Sequence, residues 1–244
     1  MLSLICALLA SFVTWALLAW LTKPIYAWLP ATIVFGGTYF LLARYHGKKV
    51  EALMKHVMSQ IEQQRIDHGI NILRGGYKDA RWVFLLRGQI DGQIGTLYYL
   101  EKKFDEALPM LEKAWIRHWV AKGMLASYWF RHHKPELANE ILDKAIAASK
   151  KEPLLYGLKA WMQVKLKDRD GARATLTAGK ERAPSNEAIT VNLVRLQNGE
   201  DLKMHLFGEA WWQFHLEKPS QRAMMKLSGQ STRAAKGAKK SLYR

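Results

Sequence analysis

The chain has 244 residues, a formal net charge of +16 and a single cysteine, Cys6. One cysteine excludes a disulfide within the chain and any cysteine-based metal site, which suits a reducing compartment. The charge is uneven: from Lys218 to the end there are eight basic residues and no acidic one, so half of the excess lies in this terminal segment.

The first predicted elements are two apolar helices. Leu2 to Leu21 carries no charge, and Ile25 to Ala43 is a second uncharged run, interrupted by Pro30 and Gly36-Gly37. About 20 apolar residues at roughly 1.5 Å each cross the hydrocarbon core of a bilayer. Thr22-Lys23-Pro24 between them makes the turn, so residues 1–45 read as a transmembrane hairpin. A single anchor and a cleaved signal are the alternatives. The signal requires a basic n-region and a shorter apolar core, and no Lys or Arg precedes Lys23. Arg44, Lys48, Lys49 and Lys55 crowd the exit of the second run, against Glu51 alone, which places the remaining chain in the cytoplasm. Trp15, Trp20, Tyr26 and Trp28 flank the turn as an outer aromatic belt, with Tyr39 and Tyr45 at the inner one. Ser3, Ala7 and Ser11 mark a small-residue face, expected to pack within the hairpin.

Beyond Gly47 the apolar residues recur at helical spacing. Breaks fall at Gly75-Gly76, Lys134-Pro135, Glu152-Pro153, Ala183-Pro184 and Asn198-Gly199. The fold class is therefore all-α. Residues 46–87 form a juxtamembrane helix and a divergent unit, with a first helix from about Lys49 to Asp67 and a second around Tyr77, Ala80 and Phe84. Residues 88–216 form helical hairpins.

Gly95, Tyr98, Phe104, Ala107, Leu111 and Ala114 recur as Ala126, Trp129, Ala138, Leu142 and Ala145, and again as Ala160, Ala172, Leu176 and Pro184. Ala138 and Ala172 are 34 residues apart, and Ala107 and Ala138 are 31 apart. The pattern resembles the tetratricopeptide repeat (TPR), in which small residues mark close helix crossings and large ones fill the spaces between. Lys159, Gln163 and Gly179 depart from it in the third copy, and a fourth copy from about Glu187 to Trp212 is degenerate. The resemblance implies a short TPR-like α-solenoid whose first helices line a binding groove.

On that register the outward, partner-binding positions are Gln89, Thr96 and Tyr99, then Ser127, Phe130 and Arg131, then Trp161 and Lys165, with Gly92, Gly123 and Gly157 beside them. Aromatic rings next to cations suit a peptide bearing an acidic group. Trp211, Phe214 and His215 share a face expected to cap the last repeat, with contact at lipid headgroups as the alternative. His118, His132 and His133 do not form a metal site, because adjacent helical residues diverge by about 100°. No cofactor, catalytic pair or phosphate loop is evident, and an enzyme is not expected.

Residues 217–244 read as a disordered basic tail. With Arg44, Lys48, Lys49 and Lys55, its Arg233, Lys236, Lys239 and Lys240 suit an anionic membrane surface, and nucleic acid is the rival partner. The layout is similar to that of bacterial membrane proteins with a two-helix anchor and tetratricopeptide repeats that serve haem biosynthesis or cytochrome c maturation. It lacks the paired cysteines of the repeat proteins that regulate lipopolysaccharide synthesis. The expected function is an inner-membrane scaffold that docks a partner protein on the cytoplasmic face. The setting would be an envelope assembly for secretion, pilus formation, motility or envelope biosynthesis. A subunit permanently packed in a membrane complex and a membrane-tethered nucleic-acid binder are the alternatives.

Overall fold

The computed structural model describes residues 2–21, 24–63, 65–82 and 85–219, and all regular structure among them is helical. Of the expected basic tail, residues 220–244, with Arg233, Lys236, Lys239 and Lys240, lie outside the described residues, as does Lys23, whereas residues 217–219 are described and Glu217 packs on unit 2. Two compact units divide the chain, Met1–His118 and Trp119–Arg244.

Unit 1 opens with α1 (Leu2–Leu21) and α2 (Pro24–Glu62) packed along each other. Both are long and apolar enough to cross a membrane. The small residues make the close approach: Ser3, Ala7, Ala27 and Ala31 are buried, and Ser11 Oγ donates to the Ala31 carbonyl at 2.9 Å. Ala7 and Ser11 of the small-residue face are thus used within the hairpin, while the Ser3 hydroxyl donates to the Trp82 carbonyl. Large side chains such as Leu9, Phe12, Trp20 and Trp28 point outward and are exposed.

The second helix does not stop where the apolar run ends. It continues through His46-Gly47 without a break. Its C-terminal half enters the core of unit 1: Val57 is buried with Ile70 and Leu73 of α3 (Ile66–Gly75) and with Leu86, Ile90, Ile94 and Leu97 of α4 (Leu86–Leu100). Val50, Leu53, Met54 and Ile61 pack on the same cluster. Fully burying a side chain of this size contributes about 1.5–3 kcal/mol. The sequence places the second helix of this first pair around Tyr77, Ala80 and Phe84, of which Phe84 lies outside the described residues. The helix that packs back on α2 is α3 instead, entered where the Arg65 backbone N–H donates to the Gln60 carbonyl at 2.9 Å, and residues Gly76–Arg81 form a 3₁₀ turn after the Gly75-Gly76 break.

Helix α4 pairs with α5 (Phe104–Lys113) to complete unit 1. In unit 2, α6 (Trp119–Arg131) pairs with α7 (Pro135–Ala148), and α8 (Pro153–Lys165) with α9 (Arg169–Arg182). Helix α10 (Glu187–Gln197) packs on α9. Pro135 and Pro153 open α7 and α8 at first-turn positions, where the missing N–H costs nothing. The side chains of Asp168 and Asn186 cap α9 and α10 by accepting from Gly171 N and Ile189 N.

Each pair turns in the same way. The backbone N–H of Lys103 donates to the Tyr98 carbonyl at 2.9 Å, Lys134 to Trp129 at 3.0 Å, and Asp168 to Gln163 at 2.9 Å. The residue before each donor is left-handed: Lys102 at φ 63°, His133 at 57° and Lys167 at 65°. This is the six-to-one closure of a Schellman turn. The three turns follow one another at the same intervals as Ala107, Ala138 and Ala172. The turn also recurs where no second helix follows. Glu200 N–H donates to the Arg195 carbonyl at 2.9 Å, with Gly199 at φ 77°. A fourth first helix and its turn are therefore present, and the chain then departs from the pattern.

The small residues sit at crossings. Ala107, Ala126, Ala138, Ala160 and Ala172 are all buried. A Cβ added at Gly95 would lie 2.9 Å from the Leu111 backbone nitrogen. Gly179, which departs from the alanine pattern, is explained by Tyr156, whose Cβ would be 2.9 Å from an added methyl.

Candidate functional site

After Gly199 the chain folds back across the first helices of unit 2. Asn192 starts the return: its Oδ1 accepts from Lys203 N at 2.6 Å and its Nδ2 donates to the Lys203 carbonyl at 3.3 Å. The 3₁₀ turn Met204–Phe207 and the single helical turn α11 (Glu209–Trp212) follow. Phe207 lies over Gly157 of α8, so close that an added Cβ would be 2.5 Å from its ring. Phe214 lies over Gly123 of α6 in the same manner, at 2.8 Å. Trp211, between them, meets Trp161 edge to face with ring centroids 5.6 Å apart, and Trp161 meets Phe130 at 5.7 Å. Trp211 and Phe214 are each 1% exposed. The glycines expected to line a groove serve instead as seats for the chain's own aromatic rings.

Glu217 closes this arrangement. Its two carboxylate oxygens accept from the indole N–H groups of Trp161, at 2.8 Å, and of Trp211, at 3.0 Å. Indole nitrogens in a buried cluster need acceptors, and one carboxylate serves both. Sequence periodicity pointed to Trp211 and Phe214 as a cap on the last repeat. They are buried, but on the first-helix face, and only one turn of helix forms around them.

The predicted binding residues divide into two groups. In unit 1, Gln89 is half-buried, Thr96 is buried and donates its hydroxyl to the Gly92 carbonyl at 2.8 Å, and Tyr99 is fully buried against Phe104. In unit 2, Ser127 is fully buried and donates to the Gly123 carbonyl at 2.8 Å. Thr96, Tyr99 and Ser127 therefore present no surface in this fold. Phe130, Arg131, Trp161 and Lys165 are brought together. Phe130, Arg131 and Trp161 line a cleft of about 450 Å³ with His133, Leu166 and Leu216. The Lys165 ammonium stands over the Trp161 ring, 5.2 Å from its centroid. Phe130 also borders an adjoining cleft of about 300 Å³ that reaches Glu136, Asn139, Lys159 and Gln163. The result is an apolar floor of Phe130, Leu166 and Leu216 with a basic rim. Leu216 was not legible from repeat register, because it belongs to the returning segment.

The α2 residues expected to meet a membrane surface lie along one exposed stretch. Arg44, Lys48, Lys49 and Lys55 are exposed, Lys49 stands 4.6 Å from the Tyr45 ring centroid, and Lys55 pairs with Glu51 at 2.8 Å. Among the histidines, His132 stacks on Tyr128 and His133 occupies the α6–α7 turn. No group of three metal-ligating side chains occurs among the described residues.

No protein family, no curated protein and no solved structure matches the chain.

Proposed function

We propose that the protein is a membrane-anchored scaffold whose helical body, of tetratricopeptide type, docks a partner protein at the inner face of a bacterial cytoplasmic membrane. The observation that carries this reading is α2 itself. One uninterrupted helix supplies an apolar span at its start and, through Val57, part of the core of unit 1 at its end. An anchor that merely retained a soluble domain needs no shared core. A shared core holds unit 1 at a fixed height and angle, which suits a scaffold.

The docking surface is the cleft beside Phe130. The half-buried Phe130 ring and the exposed Leu166 next to Arg131 and Lys165 suit an apolar segment carrying a carboxylate, through burial plus charge-assisted hydrogen bonds. The deeper part of the face is taken by the residues from Met204 to Glu217, so the partner meets the rim of this filled groove.

A second reading, a subunit permanently packed in a membrane complex, draws on the exposed Leu137, Leu166, Val194 and Leu206. Both are tested by affinity purification from detergent-solubilised membranes, with mass spectrometry, for wild type and for Phe130→Ala/Arg131→Glu/Lys165→Glu. Trp161 is left in place because Glu217 depends on it. Specific loss of one co-purifying protein supports the cleft. Equal recovery of the same proteins contradicts it, and a homogeneous monomer that binds nothing contradicts both readings.

A further inference from the structure

We propose that a cleft in unit 1, beside the exit of the hairpin, holds the phosphate of an anionic phospholipid. The proposal rests on the membrane reading of α1 and α2. The 3₁₀ turn Gly76–Arg81 and Trp82 are fastened to the end of the hairpin by three contacts. The Ser3 hydroxyl donates to the Trp82 carbonyl. The His46 ring stacks on Trp82 with centroids 4.9 Å apart and planes 10° apart. His46 Nδ1 lies 3.1 Å from Asp79 Oδ1. Ser3 stands at the start of α1, and His46 three residues past the end of the second apolar run. The turn therefore sits beside the start of α1 and the residues where α2 passes from apolar to polar sequence, which is the depth of lipid headgroups on the membrane reading.

The cleft at this turn has a volume of about 370 Å³ and is lined by Tyr77, Lys78, Ala80, Arg81 and Arg87. Lys78, Arg81 and Arg87 are exposed cations. The neighbouring carboxylates are engaged: Asp79 pairs with His46, and Asp91 is buried and accepts from the hydroxyl of the lining residue Tyr77. A ring and a methyl form the walls, and the cations form the rim. That combination matches a phosphodiester with glycerol and the first methylenes of an acyl chain. A free phosphate has no use for the apolar walls. The site is distinct from Arg44, Lys48 and Lys49, which lie on the open surface of α2.

The test is native mass spectrometry of the full-length protein from detergent, with phosphatidylglycerol or phosphatidylcholine of matched chains. Wild type should retain one phosphatidylglycerol with roughly thirtyfold preference, the scale of about two cations near an anionic surface. Lys78→Glu/Arg87→Glu should lose the preference, and Lys48→Glu/Lys49→Glu should keep it. Lys78→Met/Arg87→Met, which retains the apolar stems, carries the test if charge reversal unfolds the protein. Equal retention of both lipids overturns the site. So does equal loss with the Lys48/Lys49 pair, and so does displacement of lipid by inorganic phosphate at matched concentration. Alkaline carbonate extraction separates the two claims. A chain released from membranes defeats the membrane reading, whereas a chain that stays embedded but shows no lipid preference defeats the site alone.

Discussion

The indole N–H of Trp161 donates to Glu217 Oε1 at 2.8 Å, so a residue on the first-helix face of unit 2 is tied to the end of the segment that covers it. Trp211 uses the other carboxylate oxygen. Glu217→Ala leaves two indole donors in a buried cluster without an acceptor. We expect a loss of about 1–3 kcal/mol in the stability of unit 2, read by denaturant unfolding followed through tryptophan fluorescence. Glu217→Gln keeps one acceptor and should cost less. Equal stability of all three proteins would show that the clamp does not form.

Gly157 and Gly123 test the seating of the aromatic rings. A methyl at Gly157 meets the Phe207 ring at 2.5 Å, and one at Gly123 meets Phe214 at 2.8 Å. Gly157→Val should lift the segment and raise hydrogen exchange across residues 204–217, with a cost of about 1–3 kcal/mol from overpacking. Gly75→Ala, where nothing lies within 4 Å, should be neutral or slightly stabilising. Unchanged exchange in Gly157→Val would place the segment elsewhere.

Gly95 differs because its obstacle is backbone. An added Cβ lies 2.9 Å from Leu111 N as well as near the Leu111 side chain. Gly95→Val should separate α4 from α5 and lower the melting temperature of unit 1 by more than Gly157→Val lowers that of unit 2. Scanning calorimetry measures both.

The Tyr77 hydroxyl donates to the buried Asp91 carboxylate, and burial together with that carboxylate raises its pKa well above 10. The folded state therefore keeps a proton that the unfolded chain gives up near pH 10. The contribution is fully present below pH 10 and falls as pH rises beyond it. Tyr156, raised by burial, adds a similar trend in unit 2. The difference between wild type and Tyr77→Phe isolates the first: it should be constant from pH 7 to 9 and shrink above pH 10. A difference that grows with pH would contradict the assignment.

Much of the fold was legible in the sequence because close packing restricts residue size. Alanines at Ala107, Ala138 and Ala172 announced the helix crossings, and the turns at Lys102, His133 and Lys167 keep their intervals. The hairpin was legible from length and apolarity. Two features were hidden. Helix α3 follows α2 without a glycine or proline to announce the turn. The path of the residues from Met204 to Glu217 depends on tertiary contacts of Phe207, Trp211 and Phe214, and neither helical period nor turn chemistry encodes which face such a segment will cover. The cation cleft at Lys78 and Arg87 was equally silent, because those residues meet only when the 3₁₀ turn docks on Ser3 and His46.

The central claim is that the cleft beside Phe130 docks a partner protein at the membrane. A photoreactive phenylalanine analogue at position 130 tests it in intact membranes, against the same analogue at Lys144, an exposed position on α7. The account predicts one discrete protein adduct from position 130, lost when Arg131→Glu is added, and none from position 144. No adduct at 130, or the same adducts from both positions, would contradict it.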